Sequence, residues 1–178
     1  MFSQETAASA GVPNYIVFYY KRDTIFNTIS LKTLYKAKTI KNSKDEAMID
    51  EYALSADETD AFLLFMSTAL YDAFNIVSKM TAGLTDAPVI DGNTAIGGSE
   101  DVPNTYNFKI VDEAAYNSNV LYIVDDGINK YIQYHILADW YELVGLDAEY
   151  VKHAALRDAA RIDLTTNRLF QLRKPLLT

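Results

Sequence analysis

The sequence contains no cysteine. That excludes a disulfide framework, a thiolate metal site and a cysteine nucleophile. Histidine is nearly missing too. His135 and His153 are the whole complement, and neither belongs to an H-E-x-x-H motif or an i, i+4 pair. A packed or solvated imidazole is the expected state of both. There is no G-x-S-x-G nucleophile elbow, and no Lys follows the glycines of "GGSED" (97–101) at the spacing of a phosphate-binding loop. "DGN" (91–93) lacks the register of a calcium loop and reads as a turn. Asp112/Glu113 and Asp125/Asp126 are carboxylate pairs capable of acid–base work. They fall at expected strand ends and at an expected helix start, where acids are common for local reasons. The expectation is therefore no enzymatic activity, with no catalytic residue, metal or cofactor. No N-x-S/T sequon occurs, and no run reaches the roughly 18 apolar residues needed to cross a bilayer. The opening "MFSQETAASAGVP" has neither a basic n-region nor an apolar h-region, so no secretory signal is expected.

What is present is globular. The 178 residues are 49% hydrophobic, which suits one domain with a sound core. The net charge of −8 argues against a general nucleic-acid binder, which needs a basic surface. That charge is segregated along the chain. Residues 21–41 carry six basic residues against Asp23, net +5. Residues 42–72 hold eight acids against Lys44, and residues 86–149 hold twelve against Lys109 and Lys130. Residues 150–178 return to net +4. Two readings fit: the segments neutralise each other within one fold, or the molecule presents unlike faces to unlike partners.

Residues 14–22, "NYIVFYYKR", are aromatic and β-branched, and read as a strand or extended arm with both faces covered. A helix is expected over 23–40, with Asp23 as N-cap and a stripe of Ile25, Ile29, Leu31, Leu34, Tyr35 and Lys38. "KNSKDEAMIDEY" reads as loop with a short helical turn. The clearest helix is 56–80. Ser55 and Glu58 form a capping box before it, and Phe62, Phe65, Met66, Ala69, Leu70, Ala73, Ile76, Val77 and Met80 keep helical spacing. Leu63, Leu64 and Phe74 fall off that stripe, so more than one face should be buried.

Four of the seven glycines and two of the four prolines lie in 83–103, which marks this stretch as the main break. Connections of this length are often functional. "TYNFKIVD" and "NVLYIVDD" then alternate like the arms of a β-hairpin, and residues 14–22 could add a third strand. A helix is expected over 127–144, capped by Asp125 or Asp126 and stopped by Gly145, with Ile128, Ile132, Ile136, Trp140 and Val144 in an i+4 row flanked by Tyr131 and Tyr141. The last helix starts at Asp147 and runs to about 171. Its apolar marks are sparse and alanine-rich, as in a helix only partly buried in its own domain. The fold class is therefore mainly α: a single domain built as a bundle of about four helices with an inserted β-hairpin. The expected parts are an extended N-terminal arm (1–22), a helical part (23–82), a loop plus hairpin (83–126), and two C-terminal helices with a basic tail (127–178).

Thirteen tyrosines are many for this length, and tyrosine suits interfaces because a large apolar ring carries a wet hydroxyl. "FYYK", "YIQYHILADWYE" and the terminal "RLFQLRKPLL" carry more large apolar surface than one small core absorbs. The stretches "FYYKRDTIFNTISLKTLYKAKTI…DEYALSADETDAFLLFMSTAL" and "YIQYHILADWYELVGL…NRLFQLRKPLL" resemble virion proteins of tailed bacteriophages infecting Bacteroidales, including ring proteins of crAss-like phages. The order of parts resembles head-to-tail connector (adaptor) proteins. The resemblance implies a structural virion protein at the head–tail junction. It implies a homo-oligomeric ring, typically of twelve copies, that contacts the portal protein and neighbouring tail or ring proteins. The genome would pass through the ring without sequence-specific binding, and no membrane is involved. Before assembly the chain would sit in the host cytoplasm. The interface residues expected on this reading are Tyr19, Tyr20, Arg168, Phe170, Leu172, Arg173, Lys174, Leu176 and Leu177: apolar anchors with basic partners. The competing arrangement folds the last helix back on its own bundle. The alternative function is a small cytoplasmic helical protein-binding module of bacterial or prophage origin.

Overall fold

A computed structural model describes residues 2–5, 15–80, 105–111 and 120–168. Its elements are β1 (Phe2–Glu5), β2 (Tyr15–Lys21), α1 (Arg22–Ala37), α2 (Ile49–Tyr52), α3 (Thr59–Met80), β3 (Thr105–Val111), α4 (Leu121–Leu143) and α5 (Asp147–Asp163). A 3₁₀ turn, Ala56–Glu58, leads into α3, and a π-turn, Leu164–Arg168, follows α5. The fold is mainly α, with four long helices as expected and one small antiparallel sheet.

The sheet order is β1-β2-β3. In the register, Phe2 faces Phe18 on one side of β2, and Phe108 faces Phe18 on the other. The stretch read as a strand or arm is thus the central strand of the chain's own sheet. Its ladder is paired on both edges, and Ile16, Val17, Phe18 and Tyr20 are buried. The hairpin expectation holds for its first arm only. Residues 105–111 are β3, but "NVLYIV" enters α4 at Leu121. A short apolar run cannot be told from a buried helical turn by periodicity. Here Leu121, Val124 and Ile128 are buried at i, i+3 and i+7, which extends the stripe of the helix behind them. Asp125 and Asp126 consequently sit inside α4 and do not cap it. Residues 81–104 and 112–119, including Asp112, Glu113 and the glycine-rich stretch, lie outside the described residues.

Strand β2 runs straight into α1, whose N-cap is Lys21 with extended backbone. Asp23, expected there, lies in the first turn and pairs with Arg22 at 3.0 Å. The buried row of α1 is Ile25, Ile29, Thr33 and Ala37, an i+4 line. Leu31 and Tyr35, expected on the stripe, are 54% and 67% exposed. Threonine in the core is tolerated because its hydroxyl is fully used. Thr33 Oγ1 donates to Ser30 O at 3.0 Å and accepts from the buried Leu54 N–H at 2.9 Å. Thr33→Val is isosteric and leaves that N–H without a partner. It should cost about 1–3 kcal/mol, read as a lower urea midpoint with unchanged slope.

The Ser55–Glu58 capping box forms as expected. Ser55 N–H donates to Glu58 at 2.8 Å, the two side chains bond each other, and Ser55 Oγ accepts from Asp57 N–H at 3.2 Å. The stripe of α3 is buried at Phe62, Met66, Ala69, Leu70, Ala73, Ile76 and Val77. By length and composition the α3 segment is long and apolar enough to cross a bilayer, although no unbroken apolar run in it reaches 18 residues. Its buried stripe nonetheless forms a large part of the core. The centre of the bundle is α4, which packs on α1, α3 and α5. Ile128, Ile132, Ile136, Trp140, Tyr131 and Tyr141 are buried along it. Gly145 closes α4 at φ +72, a left-handed position that favours glycine. Helix α5 contains no buried residue, although Leu164 just beyond it is fully enclosed.

Candidate interaction surface

The two tyrosines expected at an interface part company. Tyr19 is half-buried. Tyr20 is 3% exposed within the chain's own core, and its hydroxyl donates to Asp125 Oδ1 at 3.3 Å. Burial first, then the Asp125 charge, pushes the Tyr20 hydroxyl well above its ordinary pKa. Tyr20 is therefore a core residue that ties β2 to α4. It borders a shallow hollow with Tyr19, Lys21, Thr24, Ile25 and Asn129. The Arg168 side chain and all of Phe170, Leu172, Arg173, Lys174, Leu176 and Leu177 lie outside the described residues.

Part of the segregated charge is neutralised inside the fold. Lys36 of α1 reaches Glu149 of α5 at 2.6 Å, whereas Lys32 donates to the neutral Gln133 of α4 at 2.8 Å and keeps its charge unbalanced there. Lys152 also bonds Glu149, at 3.1 Å. The Lys36 hydrogen bond, opposed by burial, holds the Glu149 carboxyl below the usual carboxylate range. In α4, Asp126 pairs with Lys130 at 2.9 Å. Among the exposed acids, Asp50, Glu51, Asp57 and Asp60 lie between α2 and the first turn of α3, with others on α1, α4, α5 and the α1–α2 loop.

The histidines are packed, each with acids in reach. His153 Nδ1 lies 2.8 Å from Glu149 O and its ring tilts over Tyr141 at 5.0 Å. His135 of α4 is 6% exposed. Its Nδ1 is buried without a hydrogen-bond partner and sits 3.7 Å from Asp72 of α3, while Nε2 sits 3.5 Å from Asp139. Tyr131 meets the ring edge-on at 5.7 Å. Burial lowers the His135 pKa, with Asp72 opposing and Arg157 of α5 adding to the drop. Burial likewise pushes Asp139 up to about 6, with Arg157 opposing. This cluster can hold or release a proton where three helices meet. No group of three or more metal-ligating side chains gathers among the described residues.

One surface feature carries no motif: a lack of charge. From Ala61 to Ser78 the only charged residue is Asp72. On the side of α3 turned away from the core lie Leu64 at 55% exposure, Thr68, Tyr71 at 45% and Asn75. A solvated helix face normally carries Lys, Glu and Arg. Helix α5 shows a narrower version of it, bordered by exposed Lys152 and Asp158. Its side turned from the core is a line of Ala148, Val151, Ala155, Ala159 and Ile162, with Val151 63% and Ile162 61% exposed. The sequence signal was available. In α5 these residues follow i, i+3, i+7, i+11, i+14 spacing, a second stripe on a helix already holding one against α4.

Comparison of the chain with known protein families, with characterised proteins and with solved structures finds no match.

Proposed function

We propose that this protein is a structural, non-enzymatic component of a bacteriophage virion. Its copies associate into a ring between portal and tail, and the genome passes through the bore. The observation that carries this reading is the pair of uncharged outward faces on α3 and α5, two different helices flanking α4. Two unlike patches on one chain suit head-to-tail contacts, which close into rings when the rotation between neighbours permits. Exposed Asp50, Glu51 and Asp57 supply negative charge that would repel phosphate, so that DNA slides and does not stick.

The test is co-expression with a portal protein from the genome that encodes this chain, followed by negative-stain imaging. A ring of about twelve copies on the portal is expected. A lone 20.0 kDa chain that never engages the portal would reject the proposal and favour the binding-module alternative. Deleting residues 168–178 should leave the helical circular dichroism signal nearly unchanged and abolish docking to the portal. Unfolding on truncation would instead place the tail in the domain's own core.

A further inference from the structure

We infer that the outward face of α5 packs antiparallel against the outward face of α3 in the next copy of this chain. This inference rests on the self-assembly reading above and names the seam. The occupant is fixed by size and charge. An α-helix advances about 1.5 Å and turns about 100° per residue. On that geometry the large side chains on the outer line of α3 are Leu64 and Tyr71, two turns apart. The outer line of α5 has a hollow at Ala155 and Ala159 between the projecting Val151 and Ile162. Setting Leu64 against Ala159 in antiparallel register brings Thr68 opposite Ala155 and Tyr71 beside Val151. Small residues facing large ones let the two helices approach.

The same register aligns charge on both flanks. Asp60 falls within about two residues' rise of Arg161, and Asp72 within about one of Lys152. Asp60 and Arg161 are both exposed. Asp72 has half of its side chain in solvent, and Lys152 has 61%. Each pair sets an acid of α3 against a base of α5, and Asp158, the acid that flanks the same line of α5, is held by Arg157 at 3.2 Å, so both edges of the apolar seam favour this direction and register. Each copy offers one α3 face and one α5 face, so the contact propagates from copy to copy.

The absence of cysteine makes the test clean. The full chain carrying both Leu64→Cys and Ala159→Cys is oxidised at high concentration, with circular dichroism confirming the fold. A ladder of disulfide-linked multimers is expected. It should be absent from Leu64→Cys paired with Ala148→Cys, which is about 16 Å out of register. Asp60→Arg or Arg161→Asp alone should weaken the ladder by roughly tenfold, and the double charge swap should restore it. Ready dimerisation of Ala159→Cys alone would mean that α5 pairs with α5, overturning the seam. Flotation with phosphatidylcholine vesicles that depends on Leu64 and Tyr71 would assign the α3 face to a bilayer and overturn it as well. Rings on the portal without a ladder would sink the seam and leave the ring reading standing. Neither rings nor ladder would remove both.

Discussion

Trp140→Ala is expected to cost about 3–5 kcal/mol, a large part of the roughly 5–15 kcal/mol that holds a domain of this size together. Trp140 is the only tryptophan and is 3% exposed in the core cluster. Its Nε1–H donates to the Tyr52 carbonyl at 3.0 Å, which fastens α2 to the C-terminal half of α4 across 88 residues of sequence. Truncation opens a cavity at the crossing of several elements and leaves that carbonyl without its donor. Trp140→Phe separates the two effects. Most of the packing is kept, and the lost hydrogen bond should cost only about 1 kcal/mol. The check is urea unfolding followed by circular dichroism, since the variants lack the indole fluorophore. An unchanged midpoint for Trp140→Ala would contradict the placement of α2 on α4.

The second large effect is a pH dependence of stability that changes sign with the variant. His135 has its folded pKa depressed by burial, Asp72 opposing and Arg157 reinforcing. The unfolded chain therefore takes up this proton more readily, and stability is lost as pH falls below the ordinary histidine value of 6.5. Asp139 has the opposite linkage. Its folded pKa is raised to about 6 from 3.8, by burial first, with Glu142 and Asp72 adding and Arg157 opposing. The folded chain binds that proton first, so stability is gained as pH falls from about 6 towards 3.8.

The groups facing His135 are Asp72 on α3, Asp139 and Tyr131 on α4, and Arg157 on α5. In the wild type the two effects oppose each other over the mildly acidic range. His135→Phe leaves the Asp139 contribution alone, so this variant should gain roughly 1 kcal/mol between pH 7 and pH 5. Asp139→Asn leaves the histidine contribution alone and should lose stability over the same interval. Denaturant titrations at several pH values read both. Parallel profiles for the two variants would show that the cluster does not control the proton balance of folding.

How much of this was legible in the residues differs from element to element. The Ser55–Glu58 box, the buried row of α3 and the Gly145 stop depend on neighbours within a turn or two, and each was readable. The stripe expected for α1 takes in residues from the far side of the helix. Leu31 and Tyr35 are apolar in type but lie opposite the Ile25–Ile29–Thr33 line, and a threonine holds the position that a pattern search gives to a leucine. The hydroxyl is usable there only because Leu54, twenty-one residues away, brings its N–H to it. The uncharged outer faces of α3 and α5 were written in the residues too. They are outer surfaces because α4 occupies the inner side of both helices.

The sequence alone determined the existence of the four long helices, the Ser55–Glu58 cap, the Gly145 stop, the mainly α class and the want of recognisable catalytic motifs, because each rests on local spacing and side-chain chemistry. Only the tertiary structure decided that Tyr20 is a core residue and not a surface anchor, since its partner Asp125 stands 105 residues away. Only the tertiary structure made residues 15–21 the middle of a sheet and turned "LYIV" into helix. Strand pairing and burial are set by which distant segments meet, and the same short apolar run satisfies either state until its neighbours are in place.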